Sequence, residues 1–378
     1  MKMRKKWTET EIKLVDKLKG EGKSVQEIAS ILGKTSEAVE HKYRYCKSEL
    51  PKESKKDKVN LSTLIIQSLK EELATKTPYK SDIQSKIDKK GDTLVIHLTD
   101  FHAGKIVKDE SGKIIYNEDV FRTRIDRLCT QTLKLLDKNI SKGVPITDVV
   151  ILSTGDLANG EDIYATQAYE QEIAPPKQCM LVVDVITKLI VSLLDRKLSV
   201  KFVGVKGNHG RTGKDADPIS NWDLMIYMIL DFWSKFVLKN PNLQIKYAET
   251  DYLTLNIRGH GYLIRHLAPE QTDTPAGRVK FNQWARQYNV EGIVYGHYHH
   301  AGINDCDSVR VIRGGSIVGG DSLSESMAKS SEPIQIVFGV NEQRVTTFIY
   351  LVDLGEKNKM PSGVYKRTLK NNLNIIEA

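Results

Sequence analysis

At 378 residues, 40% hydrophobic and 28% charged, the chain has enough apolar content for a full core and is too long for one small domain. Apolar runs such as Leu189–Leu194 fall far short of the ~20 residues of a membrane span, and the charged start lacks the apolar stretch of a secretory leader. The expected setting is therefore the cytoplasm, with no membrane partner; assembly as a homo-oligomer is left open. The net charge is +8, and the 16 Lys+Arg against 10 Asp+Glu of residues 1–60 supply +6 of it, a bias that suits a polyanionic partner such as nucleic acid. Cys46, Cys129, Cys179 and Cys306 form no C-x-x-C pair, which excludes a clustered cysteine zinc site and reads as reduced thiols.

Residues 7–46 read as three short helices. Thr8 caps the first with Glu11 at capping-box spacing, and Ile12, Val15 and Leu18 recur with helical period before Gly20 and Gly22. Ser24 and Glu27 repeat the device ahead of Val25–Leu32, Gly33 supplies the stop, and Ser36 is the expected cap of a third helix reaching about Tyr45. Small Ala29 permits a close helix crossing, with Ile28, Leu32 and Val39 as the seam of a helix-turn-helix. Trp7 ahead of "SVQEIASILG-KTSEAVEHKYR" resembles Myb/SANT-like modules. The resemblance and the local charge imply DNA as partner, with Lys34, Thr35, Ser36, Lys42 and Arg44 as contacts. Glu37 and Glu40 on the same helix suit a protein-binding module instead.

The domain boundaries expected are residues 1–50 for this module, 51–90 for a polar linker with one amphipathic helix at Leu61, Leu64, Ile65 and Leu69, 91–355 for the large domain, and 356–378 for a polar tail. Within the large domain, short β-branched runs end in polar residues and alternate with helical segments. "TLVIHLTD-FH" ends in Asp100 and His102, "DVVILSTGD" in Asp156, and "SVKFVGVKGNH" in Asn208 and His209. "GYLIRH" ends in His266, and "EGIVYGHYHH" in His297, His299 and His300. Sites in open α/β sheets lie beyond the carboxyl ends of the strands. Mixed carboxylate, amide oxygen and imidazole donors suit Mn, Fe or Zn.

The blocks "DFH", "GDLANG", "GNHG", "RH" and "GHYH" resemble the calcineurin-like metallophosphoesterase family over about residues 94–317. The resemblance implies a four-layered αββα sandwich, beside the small all-α N-terminal module, and two divalent metal ions, manganese foremost and iron or zinc next. Asp100, His102 and His299 would hold the first ion and Asn208, His266 and His297 the second, with Asp156 bridging and His209 as general acid. Phosphoprotein phosphatases of that family carry a second acid where Asn159 stands, followed by an Arg that is missing here, and a Glu where Gly210 stands. Asn159 is expected to hydrogen-bond His209 without stabilising an imidazolium by charge. Arg211 is read as a phosphate contact, and Lys206 and Lys214 as solvated loop charges.

Only 61 residues follow Ile317, and their strand-like "IQIVFGV" and "TTFIYLVDL" are expected to complete the sandwich. No large capping domain of the kind carried by DNA double-strand-break repair nucleases is therefore expected. The layout resembles phage and prophage proteins, and the leading expectation is a nuclease tethered to DNA. A phosphodiesterase or phosphatase acting on small nucleotides is the second reading, and a non-catalytic DNA-binding adaptor on the same scaffold the third.

Overall fold

The structure, a computed structural model, describes residues 7–40, 91–109, 111–141, 143–164, 167–269, 274–320 and 332–355. The chain divides into two compact units, residues 1–70 and 71–378. Lys42, Arg44, the linker and the C-terminal tail lie outside the described residues.

In the first unit, α1 (Glu9–Gly20) and α2 (Val25–Leu32) both begin with complete capping boxes. The Glu11 carboxylate accepts from Thr8 N at 2.8 Å, and the Glu27 carboxylate from Ser24 N at 2.7 Å. Gly33 ends α2 in the left-handed region at φ 59°. Val15, Leu18, Ile28, Ala29 and Val39 form the buried cluster, with Trp7 and Leu32 packed against it. One expectation is corrected. Residues 36–40 are helical, but Thr35 supplies the cap, its Oγ1 accepting from Ala38 N at 3.3 Å, and Ser36 is already inside the helix. Lys34 is committed within the unit: its Nζ lies 3.1 Å from the Glu11 carboxylate and 4.6 Å over the Trp7 ring. Burying its stem against that ring ties the α2 exit back to α1.

Because Ser24 satisfies an otherwise orphaned helix donor, Ser24→Ala is expected to cost this unit about 1 kcal/mol. Hydrogen exchange on the full chain should show faster exchange confined to residues 25–32; unchanged protection there would contradict the capping argument.

In chain order the second unit carries β1 (Asp92–Leu98), a hairpin of β2 (Val107–Lys108) and β3 (Ile114–Tyr116), α3 (Glu118–Ser141), β4 (Ile146–Ser153) and α4 (Pro175–Leu194). Then come β5 (Ser199–Gly204), α5 (Trp222–Phe232), β6 (Leu243–Tyr247), β7 (Tyr252–Ile257), β8 (His260–Arg265) and α6 (Pro275–Tyr288). The last strands are β9 (Gly292–Tyr295), β10 (Gly302–Cys306), β11 (Val309–Arg313), β12 (Ile334–Val340) and β13 (Ile349–Asp353).

Six strands form one sheet in the order β13-β12-β1-β4-β5-β6, and five form another in the order β10-β11-β9-β8-β7. β1, β4, β5 and β6 run parallel, while β12 pairs antiparallel with β1 and β13. The two C-terminal strands thus extend the first sheet. In the second sheet β8, β9 and β11 are parallel. Every residue of β1 is buried, as befits a central parallel strand covered on both faces.

Val95, Val150, Leu152 and Val203 of the first sheet share one core with Tyr262, Ile264, Val294 and Ile312 of the second. Phe281, Trp284 and Ala285 of α6 cover the second sheet from outside. α3, α4 and α5 pack on the first sheet. The layer order is therefore helix, sheet, sheet, helix. Among the described residues no helix is long and apolar enough to cross a membrane.

Candidate metal centre

Five parallel strands end on one side of this sandwich, and each is followed directly by candidate ligands. Asp100 and His102 follow β1, Asp156 follows β4, Asn208 and His209 follow β5, His266 follows β8, and His297 and His299 follow β9. The loops are stitched together by backbone bonds, such as His102 N to Asp156 O at 2.9 Å and Asp100 N to Gly155 O at 3.1 Å. Asp100, His102, Asp156, His297 and His299 all hold φ between 45° and 77°. Such backbone costs about 1–3 kcal/mol per residue and persists only where surroundings enforce it. The neighbouring glycines allow the close approach: a Cβ on Gly207 would lie 2.1 Å from the Asp156 carboxylate, and one on Gly296 2.1 Å from Thr99 Oγ1.

The donor atoms converge in two groups joined by Asp156. In the first, His102 Nε2 and His299 Nε2 face each other at 3.0 Å, with Asp100 Oδ1 3.9 Å and 3.4 Å from them. In the second, Asn208 Oδ1 lies 2.9 Å from both His266 Nε2 and His297 Nδ1, and Asp156 Oδ2 is 3.0 Å from His266 Nε2. Donor atoms of His102, Asp156 and His209 also lie within 4.8 Å of one another, which places Asp156 between the groups. His266 Nδ1 donates to Thr154 O at 2.7 Å, which leaves Nε2 as the inward nitrogen that would present a lone pair to a cation. Imidazole nitrogens facing each other at 3.0 Å need a shared proton or a cation between their lone pairs. The oxygen and nitrogen donor set therefore fits divalent cations.

The electrostatics agree with that fit. Burial opposes ionisation of Asp156, but the charges of His266 and His209 outweigh it and hold the carboxyl well below the usual carboxylate range. His266 is pushed up to about 9, burial again being outweighed by the Asp156 charge and hydrogen bond. Burial and the neighbouring His209 and His299 charges push His102 well below the ordinary histidine value. A cation at these atoms takes the place of such protons.

One organising residue was missed by the sequence reading. Asp223 is fully buried at the start of α5, and its carboxylate accepts from Asp156 N at 2.9 Å, Leu157 N at 2.9 Å, Ala158 N at 3.4 Å and Gly207 N at 2.8 Å. Asn221, the α5 cap, accepts from Asp223 N at 2.8 Å and donates to Gly207 O at 2.9 Å. Together they clamp the loops after β4 and β5 against each other. The available signal was an Asn-x-Asp ahead of an apolar helix, which reads as ordinary capping.

His209 sits beside the donor cluster with its ring edge-on to His102 at 4.5 Å and to Tyr164 at 5.6 Å. Its backbone N–H donates to Asp156 Oδ1 at 2.7 Å. The expected Asn159–His209 hydrogen bond is not formed: Asn159 is fully buried, and neither polar atom of its side chain has a partner. Gln167 approaches His209 Nδ1 instead, at 3.5 Å. The loop turns at Gly160, where a Cβ would lie 2.2 Å from His209 O. Arg211 Nε donates to the Asn208 carbonyl at 3.2 Å, holding the guanidinium beside a candidate ligand. Lys206 is not a solvated loop charge: it is buried, donating to Pro218 O at 2.9 Å.

The chain matches no family model and no curated protein. Among solved structures it is similar to a novel archaeal phosphodiesterase, with 12% identity and a TM-score of 0.34 over 68% of this chain and 99% of that one. It is also similar to wild-type Vps29 from Entamoeba histolytica complexed with zinc, with 13% identity and a TM-score of 0.32 over 69% and 99% of the two chains. A predicted phosphoesterase from Streptococcus pneumoniae gives 13% identity and a TM-score of 0.26 over 66% and 84%. Likeness this remote leaves the geometry of the site as the basis for a functional reading.

Proposed function

We propose that the chain is a dinuclear-metal phosphoesterase that hydrolyses phosphodiester bonds, acting as a DNA-directed nuclease tethered by its N-terminal unit. The observation that carries the reading is the convergence of seven oxygen and nitrogen donors at the ends of five parallel strands, five of those donors on residues with positive φ. Asp100, His102 and His299 would hold one ion and Asn208, His266 and His297 the other, with Asp156 serving both groups. Two divalent cations, manganese foremost, would supply Lewis acidity there.

The chain's own residues do the rest. Asp223 keeps the two loops in register, Arg211 pairs with a non-bridging phosphoryl oxygen, and His209 donates a hydrogen bond to the departing oxygen. In the reaction a water oxygen bonds to phosphorus and gives up a proton, the bond to the leaving oxygen breaks, and that oxygen takes up the proton to leave as a hydroxyl. DNA as substrate rests on the +6 charge of residues 1–60 and the paired capped helices, and a cytoplasmic setting goes with it.

Hydrolysis of bis(p-nitrophenyl) phosphate is expected with manganese and is expected to vanish after dialysis against EDTA, returning on re-addition. Full activity in excess chelator would reject the metal mechanism. A parallel comparison of single-stranded DNA, duplex DNA and cyclic nucleotides separates the nuclease from a small-nucleotide enzyme. Removing residues 1–55 should weaken DNA affinity in a salt-dependent way while leaving the small diester rate nearly unchanged; equal affinity with and without them would make the N-terminal unit a protein-binding module.

A further inference from the structure

Gln167 is fully buried on a short 3₁₀ turn, Gln167–Tyr169, in the loop after β4, and none of the sequence motifs includes it. Its two amide atoms are told apart by their partners. Oε1 accepts from Ile163 N at 2.6 Å, and Nε2 donates to the Asn159 carbonyl at 2.5 Å. Each partner is a backbone group of fixed polarity, so turning the amide over would set donor against donor and acceptor against acceptor. The atom 3.5 Å from His209 Nδ1 is therefore the NH2 group.

An NH2 group offers hydrogens and has no acceptor capacity for a ring N–H. His209 Nδ1 must then be the accepting nitrogen. The ring is not free to escape this contact, because His102 and Tyr164 flank it at 4.5 Å and 5.6 Å and its backbone N–H is tied to Asp156 Oδ1.

We infer that Gln167 is a positioning residue that fixes His209 in the tautomer with its proton on Nε2, the ring nitrogen turned away from Gln167. For its catalytic consequence the inference rests on the reading of His209 as donor to the departing oxygen. With the proton on Nδ1, the ring would present a lone pair to that oxygen; with it on Nε2, the neutral ring offers a hydrogen bond to the charge growing there, and the proton that caps the oxygen is the one the attacking water gives up. A carboxylate at the Gln167 position would accept from Nδ1–H and draw a proton to that side, the arrangement of a His–carboxylate pair. The amide enforces the opposite arrangement. It also does so without help from Asn159, whose side chain makes no bond here.

The test is histidine 15N NMR on the full chain, metal-free and zinc-loaded, with the His209 signals assigned by their loss in His209→Asn. Wild type is expected to show a protonated Nε2 and a bare Nδ1. Gln167→Leu is expected to populate the other tautomer and lower kcat roughly tenfold to a hundredfold with KM unchanged. Gln167→Glu is expected to protonate Nδ1. A wild-type spectrum with Nδ1 protonated overturns the inference, as does an unchanged tautomer in both variants. Should Gln167→Leu fail to fold, wild type and Gln167→Glu still decide. The spectra need no substrate, so a chain that hydrolyses no phosphodiester sinks the phosphoesterase reading while leaving the tautomer assignment to stand or fall alone.

Discussion

His209→Ala is expected to keep both metal ions and to lose hydrolysis rate by about 10²–10⁴ on a substrate with a poor leaving group. The neighbouring Asn208→Ala is expected to lose metal as well as rate. The contrast follows from what the two side chains face. Asn208 Oδ1 stands 2.9 Å from the inward nitrogens of both His266 and His297, so its removal takes an oxygen from the donor set. His209 meets Asp156 through its backbone N–H, a bond that alanine retains. The size of the His209 effect should track the leaving group, because p-nitrophenolate departs with little help from a donor whereas a nucleoside alkoxide needs it. Metal content and both rates, measured for each variant, give the answer. Loss of a metal from His209→Ala, or equal slowing of both substrates with metals intact, would remove His209 from the donor role.

The parts of this site that are legible in the sequence share one cause. Asp100, Asp156, Asn208, His266 and His297 each follow an apolar run that forms a buried parallel strand, so the strand pattern and the ligand are read together. The C-terminal strands were readable for the same reason. Gln167 and Asp223 were not, because their roles exist only across the fold. Asp223 bonds to Asp156 N from 67 positions away, and in sequence it is an acid in the first turn of a helix. Gln167 reaches His209 from 42 positions away, out of a loop with no periodicity. The misplaced role of Asn159 has the same origin: its spacing from Asp156 matched a familiar pattern, but spacing does not say which side chains meet across the fold, and Asn159 bonds to none. Edge strands such as β7 and β10, half exposed, gave no apolar run to read.

Asp223→Asn is expected to destabilise the large unit at every pH, and more at pH 5 than at pH 7.5. Four backbone N–H groups converge on the carboxylate. An asparagine offers one acceptor oxygen and turns an NH2 group toward the rest, leaving buried donors unsatisfied at about 1–3 kcal/mol each. The pH dependence comes from the carboxyl itself. Burial, and then the Asp156 charge, raise it from 3.8 to about 6. A raised carboxyl binds its proton more tightly in the folded chain, so its contribution to stability is fully present below about 3.8 and is lost as pH rises through about 6. That interval corresponds to about 3 kcal/mol, and asparagine cannot titrate, so the variant lacks the gain on acidification. Chemical denaturation of both proteins, metal-free, at the two pH values reads the difference directly. Bound metal should narrow the pH effect, because a cation at Asp156 cancels the charge that helps raise Asp223. It should also reveal a weakened site, with affinity lower by about 10–100-fold for the loss of an orienting partner. A destabilisation that is the same at both pH values would mean that Asp223 is ionised throughout and that its four N–H partners outweigh burial.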